Sequence, residues 1–486
     1  MGVLNRLNAL DRALFARAVN ARSELGDRVL FSVSHAANRS ALWLCVAAGL
    51  AAFGGRFGKR AALRGVLSIA MTSTVANLPF KLLARRARPD LKAYLMIPIV
   101  RPIPTSFSFP SGHSASAAAF ATGVGLELPK ASLPLAALAA AVGYSRVYTG
   151  AHYPGDVVAG AALGVALGVA TTRFWPVAPR TPAVAKPPLA NVDRDPVPDG
   201  EGVTIVVNPS AGAALTPDPT EELTRALPKA SVVHLEDGTD YLKTVRDLAR
   251  GARVLGIAGG DGSVNLAAGA AHEQGKPLLV VPSGTLNHFA RDLGVNGVDD
   301  AIEAIRGGTT VTVDLGLVDG KPFVNTASFG GYVQMVDARQ RLEPRIGKWP
   351  AVLVALFRVL RTSEPVAVRV NGRNRLLWMA FIGNCRYKPS GFAPGWRERL
   401  DDGVLDVRLV DAHEPWSRTR LMGAVMTGTL GRCRVYEQFA SDKLEIESLQ
   451  GPLRLARDGE TFEGPVKFEV TKSDRPLVVY VVKASR

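Results

Sequence analysis

Up to about residue 175 the apolar residues of this chain run in long blocks of Ala, Leu, Val and Gly, and beyond about residue 200 they alternate with charges in short runs. No single solvent suits both textures. The first calls for a membrane and the second for water, so the sequence predicts a membrane half followed by a globular half. The averages, 47% hydrophobic residues and a mean hydropathy of +0.12, conceal this division. At 486 residues the chain is also long for one domain, and two or three units are expected.

The formal net charge is +15. A basic balance of that size suits nucleic acid, anionic lipid or phosphorylated substrates. No helix-turn-helix or zinc-finger spacing is present and the cations flank apolar blocks, so anionic lipid is favoured and no nucleic-acid partner is expected. Cys45, Cys385 and Cys433 stand far apart without metal-ligand spacing and read as isolated reduced thiols. No short apolar core with a small-residue cleavage site opens the chain, so a cleaved signal peptide is not expected.

Residues 3–35 mix Leu, Phe and Val with Arg, Asp and Asn at near-helical spacing, which predicts one amphipathic helix on a membrane surface or against the spans. With its flank it makes an N-terminal segment, 1–40. Five apolar blocks follow at 41–55, 63–83, 114–128, 131–148 and 156–175. Several are short for a span of about 20 residues, and their Ala and Gly suit closely packed membrane helices. Buried helices of a soluble core are the plainer alternative. Residues 176–200 are dense in Pro and predict a stiff, extended linker. From 201 to about 310, short apolar strands alternate with helical stretches, the pattern of a parallel α/β sheet. From about 311 to 486 the runs are mostly strands, so a β-rich second lobe is expected, with a ligand cleft between the lobes.

Three segments of the membrane half carry charge where charge is costly: KLLARRARP with Lys81 and Arg88, PSGH at 110–113, and SRVYTGAHYPGD with Arg146, His152 and Asp156. Together they form the parts of a phosphoryl-transfer site. Lys81, Arg88 and Arg146 can neutralise a phosphate and its transition state. Ser111 and the amide of Gly112, at a helix start, add donors. A neutral His152 can attack phosphorus if Asp156 orients its ring, and His113 can protonate the departing alcohol. Singly, each has a plainer reading: Asp156 as a helix N-cap, the arginines of the first segment as interfacial anchors, a histidine as a structural group. Their ordered conjunction favours the site.

These segments, K-x6-RP, PSGH and SR-x5-H-x3-D, resemble the three signature motifs of type 2 phosphatidic acid phosphatases without a departure, over roughly residues 30–175. The resemblance implies a phosphohistidine on His152, His113 as general acid, no metal cofactor, and lipid phosphates or diphosphates as substrates. Vanadium haloperoxidases share the anion pocket but lack this density of apolar blocks.

In the second half, ARVLGIAGGDGSVN places Gly259, Gly260, Asp261, Gly262 and Ser263 between a strand and a helix. Glycines there let the backbone approach phosphates, and Asp261 can hold Mg²⁺ or water beside them. The loop is neither a Walker A motif nor GxGxxG. Two further polar loops, Asn208–Gly212 and Pro282–Gly294, follow strands and converge on the same sheet edge. NPxxG, GGDG[ST] and P-x-GT-x-N, followed by DDGVLDV at 401–407 and DGE at 458–460, resemble the diacylglycerol kinase catalytic family, whose relatives include sphingosine and ceramide kinases. That resemblance implies ATP on the GGDG loop with Asn208, Gly284, Thr285 and Asn287 near the nucleotide, Mg²⁺ as cofactor, Glu460 as the base for the lipid hydroxyl, and Asp402 on a second, structural Mg²⁺. One position departs, since His288 stands where many members carry Asp.

The sequence thus predicts an all-α membrane helical bundle followed by a two-lobed α/β plus β-rich lipid-kinase domain. Lipid phosphate and lipid alcohol are the expected substrates, in a multi-pass protein of the cell membrane. A kinase using cytoplasmic ATP puts the phosphatase segments on the outer face if five spans are counted back from residue 175. The basic N-terminus then lies outside, unless a sixth span or re-entrant segment lies within residues 1–40. A kinase-like half serving as a non-catalytic sensor is the rival reading.

Overall fold

The computed structural model describes residues 3–76, 86–89, 107–186, 196–209, 218–236, 239–284, 287–346, 361–391 and 395–483, with a few positions between 351 and 359. The chain divides into two compact units, Met1–Ala178 and Pro179–Arg486.

In the first unit the amphipathic segment is two helices, α1 (Val3–Asn20) and α2 (Glu24–Ala36), where one was expected. Ser23 makes the break: in extended conformation, its side chain accepts from Gly26 N as an N-cap. A single 3-10 turn at Asn38–Ser40 follows, with Arg39 and Ser40 at φ 52° and 61°, and bends the chain into α3 (Ala41–Phe53). Four helices complete the bundle: α4 (Gly55–Val75), α5 (Gly112–Glu127), α6 (Pro129–Tyr148) and α7 (Pro154–Ala170).

Helices α5 and α7 run parallel in close contact. A β-carbon on Gly160 would stand 2.4 Å from Ser111 O, and one on Gly164 2.2 Å from Ala115 O, so only glycine permits this approach. Both helices start at the end that carries PSGH and HYPGD. At the opposite end a charged cluster closes the bundle. Arg64 Nη2 and Arg60 Nη2 donate to Glu127 Oε1 at 2.7 and 3.0 Å, Arg64 also reaches Thr171 Oγ1 and Pro176 O, and Trp175 packs against both guanidinium groups. The Arg64 and Glu127 side chains are fully buried. Among the described residues, Pro154–Arg173 alone is long and apolar enough to cross a membrane as one helix; Glu24–Ala36 with Asn38–Phe53 qualifies as a pair bent by 62°. Helix α4 carries Arg56, Lys59, Arg60 and Arg64 in its first half.

The second unit opens with β1 (Val203–Val207), α8 (Thr220–Ala226), β2 (Ser231–His234), α9 (Tyr241–Gly251), β3 (Val254–Gly259), α10 (Asp261–Gln274), β4 (Leu278–Pro282), α11 (His288–Asp292), α12 (Val298–Gly307) and β5 (Thr310–Val313). The remainder is β6 (Gly316–Val318), β7 (Lys321–Phe323), β8 (Thr326–Gly330), α13 (Gly331–Ile346), β9 (Val366–Val370), β10 (Arg373–Asn384), β11 (Tyr387–Lys388), β12 (Trp396–Arg397), β13 (Leu405–Asp411), α14 (Ser417–Thr427), β14 (Tyr436–Ser441), β15 (Lys443–Ser448), β16 (Arg454–Arg457), β17 (Glu460–Glu463), β18 (Lys467–Lys472) and β19 (Leu477–Tyr480). Strands β2, β1, β3 and β4 are parallel, and the burial of β1, β3 and β4 explains their continuous apolar runs. Among the described residues the second sheet has 11 strands, antiparallel in its pairings.

Two features differ from the sequence expectation. The β-rich lobe does not run unbroken from 311 to the end, because β5 and β19 belong to the first sheet, with β19 between β4 and β5. Within the Pro-rich stretch, the described residues 183–186 are not a free spacer. Ala183 N donates to Asp292 O, Val184 exchanges backbone bonds with Glu398 and Leu400, and Lys186 O accepts from Thr312 N. An extended backbone keeps its donors and acceptors available for such pairing, except at proline nitrogens.

Candidate active sites

Asp156 lies in the first turn of α7 as its N3 residue, not its N-cap, which is Tyr153; its Oδ2 accepts from Tyr153 N at 3.0 Å. It does more. Oδ2 also accepts from the Ser108 hydroxyl and Oδ1 from Arg86 Nη1 at 2.7 Å. His152 Nδ1 lies 2.7 Å from Ser108 O and 3.8 Å from Asp156 Oδ2. The carbonyl therefore makes the short contact to the ring, with the carboxylate behind it. A carbonyl oxygen has no proton to give, so the ring proton sits on Nδ1 and the lone pair on Nε2. Arg88 Nη1 stands 3.4 Å from that Nε2 while donating to Ala151 O at 2.7 Å.

The other residues of the first constellation gather at this end. Ser111 is the N-cap of α5, its oxygen accepting from Ser114 N and Oγ, and Gly112 opens the helix. His113 Nε2 contacts Asn38 Oδ1 at 3.1 Å. Arg146, buried in the last turn of α6, donates from Nη1 to Ser34 Oγ at 2.5 Å. Lys81 lies outside the described residues. Sequence reasoning left Arg86 as one of three anchoring arginines, and it did not find Ser108, Ser34 or Asn38. The only local signal was Arg86 itself, two residues before Arg88.

In the second unit the three loops meet. Asn208 Nδ2 donates to Ser263 Oγ at 2.8 Å, tying the first loop to the second. Gly284 is pressed on Gly260: a β-carbon on Gly284 would stand 2.4 Å from Gly260 Cα. Asn287 folds its own loop, accepting from Gly284 N and donating to Gly284 O at 3.0 and 2.8 Å. Asp261 Oδ1 accepts from His288 N at 2.7 Å. This contact is made by the backbone while the His288 side chain is exposed, so the departure from Asp leaves it intact. Gly259 ends β3. Thr285 lies outside the described residues.

Glu460, the first residue of β17, faces the GGDG loop, and a β-carbon on Gly262 would stand 2.8 Å from its Oε1. Its neighbour Asp458 is buried at φ 45° and accepts from Val324, Asn325 and Thr326 N at 2.8, 2.9 and 2.7 Å. Burial pushes the Asp458 carboxyl up to about 6, outweighing the three amides that favour its charged form.

Asp402 is placed differently from the expectation of a second Mg²⁺ site. Its oxygens accept from Arg386 N and Val404 N, and it clusters with Asp314 and Cys385. Lys472 Nζ already sits among them, donating to Asp314 Oδ2 at 3.1 Å and Asn384 Oδ1 at 2.6 Å. Burial pushes the Cys385 thiol up to about 12, leaving it neutral. A lysine ammonium and a thiol fit magnesium, which prefers oxygen ligands, poorly. Asp261, a carboxylate at the phosphate-type loop, fits it.

The PAP2 superfamily model matches residues 61–180, and the diacylglycerol kinase catalytic domain model matches residues 202–318. A probable YegS-like lipid kinase of Pseudomonas aeruginosa is 31% identical over 245 residues, 49% of this chain and 80% of that protein. The chain belongs to the lipid-kinase family of the diacylglycerol kinase type. Its first unit carries a PAP2 domain and its second a lipid-kinase domain of the diacylglycerol kinase type. A diacylglycerol kinase of Staphylococcus aureus is 30% identical over 236 residues, 46% of this chain and 73% of that one. The solved transmembrane PAP2 type phosphatidylglycerolphosphate phosphatase from Bacillus subtilis is 28% identical, covering 35% of this chain and 86% of that one, with a TM-score of 0.29.

Proposed function

We propose that the chain is a bifunctional membrane lipid enzyme. The PAP2 domain hydrolyses a lipid phosphate or diphosphate, and the kinase domain transfers the γ-phosphoryl group of ATP to a lipid hydroxyl. The observation that carries the first activity is the held ring of His152. With Nδ1 donating to Ser108 O, Nε2 is free of a proton and stands beside Arg88. Nε2 attacks phosphorus, the bond from phosphorus to the alcohol oxygen breaks, and His113 supplies the proton that the alkoxide takes up. Water then cleaves the phosphohistidine. Arg88, Arg146 and Lys81 offset the charge on the phosphoryl oxygens, with donors from Ser111 and Gly112.

In the kinase domain, Gly259–Ser263, Asn208, Gly284, Thr285 and Asn287 surround the nucleotide phosphates. Glu460 takes the proton of the lipid hydroxyl, which its position against Gly262 supports. Mg²⁺ carried with ATP would be held by Asp261, where it neutralises phosphate charge. Helix α7 begins at the phosphatase site and ends at the opposite end of the bundle, beside Trp175. In a multi-pass bundle that arrangement supports a phosphatase site on the outer face and a kinase domain in the cytoplasm.

The test uses the full chain in mixed micelles, with phosphatidic acid hydrolysis and ATP-dependent phosphorylation of diacylglycerol measured on one sample. His152→Ala abolishes the first and spares the second, and Glu460→Gln does the reverse. Phosphatidic acid hydrolysis that survives His152→Ala refutes the phosphohistidine. Lipid phosphorylation that survives Glu460→Gln refutes the base, and no lipid phosphorylation by the wild type favours a sensor.

A further inference from the structure

The PAP2 match begins at residue 61, yet groups of the phosphatase site take polar partners from the first forty residues. Arg146 donates to Ser34, His113 meets Asn38, and Arg86 donates to Asp11. Asp11 carries the argument furthest. Both its oxygens are engaged, Oδ2 by Arg86 Nη2 at 2.6 Å and Oδ1 by Gly155 N at 2.7 Å. The other nitrogen of the same guanidinium, Nη1, donates to Asp156 Oδ1 at 2.7 Å. Arg86 is thus a fork spanning two carboxylates, one from α1 and one from the motif that carries His152.

The docking around it is built. Phe15, four residues along α1, is fully buried with its ring edge-on to Tyr153 at 5.3 Å, and Arg86 lies over the same tyrosine ring at 4.5 Å. A β-carbon on Gly155 would stand 3.0 Å from Asp11 Oδ2, so the glycine of HYPGD makes room for this carboxylate. From Asp11 the contacts run through Arg86 to Asp156, to the Ser108 hydroxyl, and from the Ser108 carbonyl to His152 Nδ1.

We propose that α1 completes the phosphatase site, with Asp11 a positioning residue that holds Arg86 on Asp156 and so fixes the His152 ring. The inference rests on the phosphatase reading above. Asp11 also offsets the charge of Arg86, which makes Arg86 a strut, while Arg88 and Arg146 remain to meet the phosphate. Loss of the Asp11 charge lets Arg86 pull on Asp156 alone or turn toward the substrate phosphate. The ring is then misplaced for attack, while the cationic pocket that binds phosphate is undiminished.

The experiment is phosphatidic acid hydrolysis by the full chain in mixed micelles, normalised to folded protein by thermal unfolding. Asp11→Asn lowers kcat roughly ten- to hundredfold, the scale of a small misplacement, and leaves KM unchanged or lower. In an Arg86→Gln background the same substitution changes kcat less than about twofold, because the strut is already gone. Should Asp11→Asn fail to fold, Arg86→Lys, which keeps the charge but loses the fork, shows the same fall in kcat at constant KM. An unchanged kcat in Asp11→Asn overturns the proposal. So does an equal loss with and without Arg86, which makes Asp11 a fold contact only. A wild type that hydrolyses no lipid phosphate overturns the phosphatase reading instead.

Discussion

Glu460 Oε1 lies where a side chain on Gly262 would have to go, 2.8 Å from the position of its β-carbon. The atom in the way is the end of a flexible side chain, so Gly262→Ala is tolerated by the fold but displaces the carboxylate. Lipid phosphorylation falls roughly a hundredfold, while the unfolding temperature of the kinase domain moves little. A rate near that of the wild type would remove Glu460 from the reaction.

Ser108 touches the phosphatase site twice, through its hydroxyl to Asp156 and its carbonyl to His152. Ser108→Ala deletes only the first contact. Phosphatidic acid hydrolysis is expected to drop roughly tenfold, the worth of one hydrogen bond, well short of the loss in His152→Ala.

Glu127 neutralises two arginines in the closed end of the bundle. Glu127→Gln leaves Arg64 buried without a counter-charge and destabilises the first unit by about 3–5 kcal/mol. Thermal unfolding in detergent reads this directly. Arg64→Met combined with Glu127→Leu, which removes the buried charges together, is milder than the single change.

Asp458 has a pH signature. Its folded value of about 6 lies above the ordinary 3.8, so the folded chain holds this proton more tightly than the unfolded one. Its contribution to stability is present below about pH 4, falls as pH rises through about 6, and is level above that. The step is on the order of a few kcal/mol and is missing from Asp458→Asn when unfolding midpoints are compared between pH 4 and 7.

Contiguous motifs were the legible part of both sites. PSGH, HYPGD and GGDG are single turns in which neighbouring residues act together, so chain order carries the geometry. Asp11, Ser34 and Asn38 act across more than seventy residues of sequence from helices whose texture says only that one face is buried. The hold on His152 by Ser108 comes from a carbonyl, a group every residue has, and composition cannot signal it. The break at Ser23 was written in a capping residue that the amphipathic period overshadowed. The last strand was misassigned to the second lobe because its position in the sequence outweighed its unbroken apolar run, LVVYVV, which suits a strand buried in the first sheet.

That strand sets an order of events during synthesis. Helices α1 to α7 are complete by residue 170, so the first unit can leave the ribosome and assemble while the kinase is still being made. The first sheet of the second unit cannot close then, because β19, residues 477–480, is the strand that joins β4 to β5. The first unit is complete early in the life of each molecule, and the first sheet of the second unit only once β19 has been made. A chain cut before Leu477 keeps every helix of the first unit and lacks the strand that joins β4 to β5.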